Sequence, residues 1–316
     1  MSQPKKVDIR STIIRQKFAK HQDKMANDSE NKAENVAQVL AWIDTAKALG
    51  DIDLNIMLLG NLGNFYLSQG ESDKALETYR TIEQLIQQSG GSPIYLIKTK
   101  MNMATIQVGD STQIEQGIEQ YQQVILLTED MPDVEALEIK LHCHCNLASV
   151  YLLIYQYDNV RSATESFWTE WENPYLSRIK PDLRTGLVGL IRRAEAMLHI
   201  INGEYEQADN KIRLLLELAK TQNNHNYIVT SYMLQAMLAL ESPNHPTSAE
   251  DYWKQADEFV DGLLEQQGTS LYYIARHSYA ENAGQFAYLG HNDWADRCRE
   301  MAKQLYSKSG QVDISL

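Results

Sequence analysis

Apolar and small residues recur along this chain at helical spacing, in pairs of segments separated by a turn. The clearest pair lies between Asn61 and Ile82. Leu62, Gly63 and Tyr66 share one helix, Gly70 marks a turn, and Ala75, Tyr79 and Ile82 share the next. Residues three and four apart fall on one face, so the small Gly63 and Ala75 stand where two helices approach, and Leu62, Tyr66, Tyr79 and Ile82 fill the seam. Such a pair cannot bury its apolar face alone, so others must follow. With Gly63 as anchor, a small residue recurs at Ala104, Ala148, Ala196, Ala236 and Ala283. A second small or slim residue follows each anchor by 12 or 13 places, at Ala75, Gly117, Val160, Ala208, Ala249 and Ala295. The turn glycine recurs as Gly109, Gly203 and Gly290, while Tyr155 and Ser242-Pro243 mark the two turns without it.

Two further helices are expected ahead of these pairs. Val36, Val39, Leu40, Ile43, Ala46 and Ala48 give an apolar side to a lone helix over about 28–49, started by Asp28-Ser29-Glu30 and stopped by Gly50. Ile9, Ile13, Ile14 and Phe18 give another stripe to the N-terminal arm. The predicted organisation is therefore a basic arm or capping helix over 1–27, a lone helix over 28–50, paired helices over 51–306, and a short tail over 307–316.

The stretch 61–82, echoed by Gly203 to Ala208 and by Gly290 to Ala295, resembles a tetratricopeptide repeat (TPR). The resemblance covers roughly residues 51–306 and implies an all-α fold, a right-handed α-solenoid of about six antiparallel helix pairs forming a TPR-like superhelix. The anchors are spaced by 41, 44, 48, 40 and 47 residues, against about 34 in the usual repeat. That excess predicts longer helices and links, as in the elongated repeats of bacterial regulatory proteins and eukaryotic adaptor scaffolds.

Composition adds two things to this picture. A single compact core would be near its upper size limit at 316 residues, whereas a solenoid grows by adding pairs. Pro93, Pro132, Pro174, Pro181, Pro243 and Pro246 all fall between the expected helices, and alternating β-branched runs are scarce, which excludes a sheet. Charge is uneven. Residues 1–24 hold seven Lys and Arg against two Asp, and the remainder holds 22 Lys and Arg against 40 Asp and Glu. Three roles fit the arm: a helix capping the first repeat, a segment that reaches a partner or lies in the molecule's own groove, or a tether to a membrane surface or nucleic acid. Nothing else in the acidic chain offers a phosphate-binding surface, so no nucleic-acid partner is expected. Three cysteines give no disulfide framework. With no secretory segment and no apolar run able to span a bilayer, the chain reads as a soluble, cytoplasmic protein.

Catalytic signatures are missing. There is no Gly-x-Ser-x-Gly elbow, no phosphate loop, no His-Glu-x-x-His and no dinucleotide-binding glycine motif, so a non-enzyme with no cofactor is expected. The run His142-Cys143-His144-Cys145 looks metallic, yet only His142 and Cys145 share a helix face, and no second donor pair of like spacing exists. A structural role is expected there, and also for Cys298, for Glu195 with His199, and for His291 with Asp293. No metal is expected.

In TPR proteins the first helix of each pair lines the concave surface. The inward positions lie six and three places before each anchor and one and four after it. They include Met57, Gly60 and Asn64 in the first unit, Lys98, Met101 and Thr105 in the second, and His142, Cys145 and Leu152 in the third. Arg193 and Met197 follow in the fourth, Thr230, Met233 and Met237 in the fifth, and His277 and Gly284 in the sixth. This inferred face holds Lys98 and Arg193 but no Asp or Glu, and its methionines could adapt to varied apolar side chains. Asn64 and Asn146 match in type the asparagines of the family's carboxylate clamp, but Gly60 stands where the first clamp lysine belongs, which argues against a chaperone-tail receptor. The expected function is a non-catalytic module that binds a peptide or helical segment of a protein partner in the concave groove, as a regulator or adaptor. The solenoid ends allow a homodimer. The alternatives are a sensory segment ahead of a nucleotide cyclase or kinase domain, since the last helix ends near Tyr306 with a short tail, and a signal-peptide sensor.

Overall fold

The computed structural model describes residues 8–27, 32–264 and 274–309, and its fold class is the all-α solenoid of tandem helix pairs. The chain divides into two compact units, Met1–Ile139 and Lys140–Leu316. No helix among the described residues is long and apolar enough to cross a membrane.

Unit 1 opens with α1 (Ile9–Asn27) and α2 (Lys32–Leu49), followed by the pairs α3 (Ile52–Ser68) with α4 (Ser72–Ser89) and α5 (Pro93–Val108) with α6 (Ile114–Thr128). Each helix packs on the next, and α1 also reaches α3. Ile14 and Phe18 of α1 enter the core beside Val39, Ile43 and Leu54. The edge of Phe18 meets Trp42 at 6.0 Å, and His21 meets the same indole at 5.2 Å. Ile9 and Ile13 depart from the expected stripe and are 77% and 43% exposed. They project away from the buried side of α1, because at about 100° per residue Ile9 and Ile13 stand about 140° and about 100° around the helix from Ile14. Arg15 pairs with Asp51 at 3.3 Å, and Asp51 caps α3 by accepting from the Leu54 amide at 3.0 Å. The proposed starter Asp28-Ser29-Glu30, like Lys5 and Lys6, lies outside the described residues.

The seams are as tight as the small anchors require. A Cβ on Gly63 would lie 2.7 Å from Cε1 of Tyr79, and one on Gly117 would lie 2.5 Å from Cγ1 of Val108 and 2.9 Å from its backbone nitrogen. The turn glycines Gly70, Gly203 and Gly290 take left-handed φ values of 74°, 74° and 87°. Gly109 does not. Its φ of −78° is right-handed, and Asp110 shapes that turn instead by accepting from the Thr112 amide at 2.9 Å. In the third turn Tyr155 itself goes left-handed, at φ 59°, a conformation that costs a non-glycine residue about 1 kcal/mol.

The helix α7 (Val134–Leu153) runs from unit 1 into unit 2, and α8 (Tyr157–Trp171) follows it. Next come α9 (Pro181–Ile201) with α10 (Tyr205–Thr221), and α11 (His225–Glu241) with α12 (Ala249–Leu264). The sixth pair among the described residues is a π-helical segment, Ile274–Ala280, continuing into α13 (Glu281–Tyr288), with α14 (Asn292–Ser309) as its partner. Ala148, Ala196, Ala236 and Ala283 are all buried, as are Val160, Ala208, Ala249 and Ala295. The helix α11 is buried on nearly every side, because α9, α10, α12 and the π-helical segment all pack on it.

Candidate partner-binding faces

The two units present different inner faces. In unit 1, the second helix of each pair reaches through the seam to hold a polar residue on the first. The hydroxyl of buried Tyr79 donates to Oδ1 of exposed Asn64 at 2.5 Å, and that of buried Tyr121 lies 2.8 Å from Oγ1 of exposed Thr105. Burial also pushes the Tyr79 hydroxyl pKa up, so it stays a donor. Asn102 links the two pairs by donating from Nδ2 to Oδ1 of Asn64 at 3.2 Å. Met101 is half-buried beside these groups, and Met57 is half-buried with its sulfur 3.9 Å from Nη1 of Arg15. The result is a row of amide and hydroxyl groups held in place by hydrogen bonds within unit 1.

In unit 2 the corresponding face is polar but closed over. Arg193, with its side chain 11% exposed, pairs with Glu281 of α13 at 2.5 Å. Ser278 donates to Oδ1 of Asn226 at 2.6 Å and lies 3.0 Å from Oγ1 of Thr230. Tyr227 donates to the Gly186 carbonyl at 3.3 Å.

The His-Cys run lies on α7 with Cys143 and Cys145 fully buried and His144 8% exposed. Cys145 donates to the Leu187 carbonyl at 3.6 Å. Burial pushes both thiols up and brings His144 down to about 4, with Glu170 opposing and Lys140 adding to the effect. Burial also holds His142 below the ordinary imidazole range. Among the described residues no three His, Cys, Asp or Glu side chains converge to hold a metal. His199 pairs with Glu204 at 2.5 Å, leaving Glu195 to bind Lys211 at 2.8 Å, and His291 pairs with Glu241 at 2.6 Å.

No protein-family model matches this chain, and no curated protein matches it in sequence. Solved structures do match its fold. The crystal structure of the apo form of RapI superposes with a TM-score of 0.66 at 12% identity, covering 92% of this chain and 96% of that one. The fold is of the tetratricopeptide-repeat type. A tetratricopeptide repeat protein from Parabacteroides merdae also matches, with a TM-score of 0.44 at 13% identity, covering 92% of this chain and 99% of that one.

Within this TPR framework the expected site residues differ in how far they reach the surface. Asn64 is exposed, and Met57, Met101, His142 and Asn146 are half-buried. Met197, Met233 and Met237 are buried in the core of unit 2 and offer no surface to a partner, because α11 is covered on both faces and α9 packs against it. The side chain of His277 lies outside the described residues. The expectation of a face without carboxylates is also corrected: Lys98 forms an ion pair with Glu135, and Arg193 with Glu281. Glu135 stands at the start of α7, beyond the stretch of helix the spacing rule sampled, and Glu281 stands two places before its anchor, at the edge of the face. Asn102, likewise two places before Ala104, also stands at that edge, off the inward positions.

Proposed function

We infer that this chain is a non-catalytic protein-interaction module that receives a peptide or helical segment of a partner on the inner face of its first helices, in a regulatory or adaptor role. The observation that carries this reading is the row Asn64, Asn102 and Thr105, held in place by Tyr79 and Tyr121. Amide and hydroxyl groups fixed in advance can pair with a partner's main chain at little further cost in side-chain entropy. The half-buried Met57 and Met101 beside them offer adaptable contact to apolar side chains.

The test compares affinity capture and mass spectrometry for the parent and for the double variant Met101→Ala with Asn102→Ala. The expected result is loss of the specifically captured partner with a thermal midpoint close to the parent's, since neither side chain is buried. An unchanged set of captured proteins would place any binding elsewhere and end the inner-face reading.

A further inference from the structure

In a plain stack of repeats each pair touches only its neighbours. Unit 2 departs from that rule. The helix α13 of the sixth pair meets the fourth pair through Glu281 and Arg193, and the third pair through a cluster around the α7–α8 turn. There, Gln285 donates from Nε2 to the Leu152 carbonyl at 3.0 Å, across 133 residues of sequence. The Tyr155 hydroxyl donates to the Gly284 carbonyl at 3.4 Å. The rings of Tyr155 and Tyr288 stack at 4.8 Å with 14° between planes, and Tyr157 meets Tyr288 edge-on at 5.1 Å.

Three properties of this contact set it apart from core packing. Tyr155 and Tyr288 remain 43% and 48% exposed, so parting them uncovers little new apolar surface. Tyr155 holds the left-handed φ that glycine adopts in the first, fourth and sixth turns, so the turn that carries the contact is itself strained. Oε1 of Gln285 is buried without a hydrogen-bond partner, a cost borne by the contact with α7. Opposing these are two hydrogen bonds and one ring stack between the α7–α8 turn region and α13, with the Arg193–Glu281 pair joining α13 to α9 beside them.

We propose that the contact between the α7–α8 turn and α13 is a latch that closes unit 2 and gates its inner face. Opening it separates α13 from the third and fourth pairs and leaves Arg193 without Glu281, so that a cation is uncovered on the face lined by α7, α9 and α11. That a partner segment uses this opening rests on the protein-binding role proposed above. The latch itself does not.

Hydrogen exchange of the full chain, read by mass spectrometry, tests the latch without any partner. Two variants remove the ring stack: Tyr288→Ala, and Tyr155→Gly, which also relieves the strained φ and so protects folding. Peptides spanning 150–157 and 281–289 should exchange about tenfold faster in both variants, while α10 and α12 keep parental rates. A rise shared evenly by α8 to α14 would make the contact part of one cooperative core and overturn the proposal. Parental rates everywhere in both variants would overturn it as well. If the local rise is seen but the inner-face double variant still captures every partner, the binding role fails and the latch stands.

Discussion

A glycine inside a helix is destabilising unless the space of its missing Cβ is put to use, and Gly117 and Gly60 differ in this respect. At Gly117 a Cβ would meet Cγ1 of Val108 at 2.5 Å and the Ala104 carbonyl oxygen at 3.0 Å, while at Gly60 nothing lies within 4 Å. Gly117→Ala should therefore cost about 1–3 kcal/mol through overpacking, and Gly60→Ala should gain up to about 1 kcal/mol. Urea unfolding of both variants checks this, and shifts of the same sign would contradict the seam geometry. His144 gives a second residue-scale outcome. Its pKa falls from an ordinary 6.5 to about 4 in the fold, chiefly by burial, so the unfolded chain takes up the proton first as pH drops. The stabilisation is complete above pH 6.5, declines as pH falls toward 4, and declines no further below that; its full extent is on the order of 3 kcal/mol. His142, also lowered by burial, acts with the same sign. Unfolding free energies measured from pH 7 to pH 4 should fall less steeply for His144→Gln than for the parent.

At the scale of helices, α1 uses Ile14 and Phe18 to cover Val39, Ile43 and neighbouring core residues. Deleting residues 1–24 should lower the thermal midpoint and reduce solubility, as expected of a capping helix; an unchanged midpoint with tighter partner capture would favour an arm lying in the groove. The paired helices were legible in the sequence because the seam admits only small residues at Gly63, Ala104, Gly117 and their equivalents, and that demand leaves a mark at regular spacing. The electrostatic partners were not legible. Glu135 and Glu281 come from other helices than Lys98 and Arg193, and spacing along one helix carries no information about what a neighbouring helix presents. The same limit applies to Met197, Met233 and Met237. Their helical positions mark one face, but whether that face is open depends on where residues 274–288 pack.

Across the whole molecule, protection should be uneven. Because α11 is covered by five other elements, its amides should be the slowest to exchange in unit 2, with α14, at the end of the described residues, faster. Uniform rates over all pairs would contradict this arrangement. The tryptophans are also unevenly distributed: Trp168, Trp171, Trp253 and Trp294 belong to unit 2, and Trp42 to unit 1. The indole of Trp42 packs against both Phe18 and His21 of α1. A chain keeping Trp42 and carrying phenylalanine at the other four positions would thus contain its own optical gauge of α1 seating, since the emission of this half-buried ring would shift to longer wavelength when α1 lifts away and uncovers the rest of it.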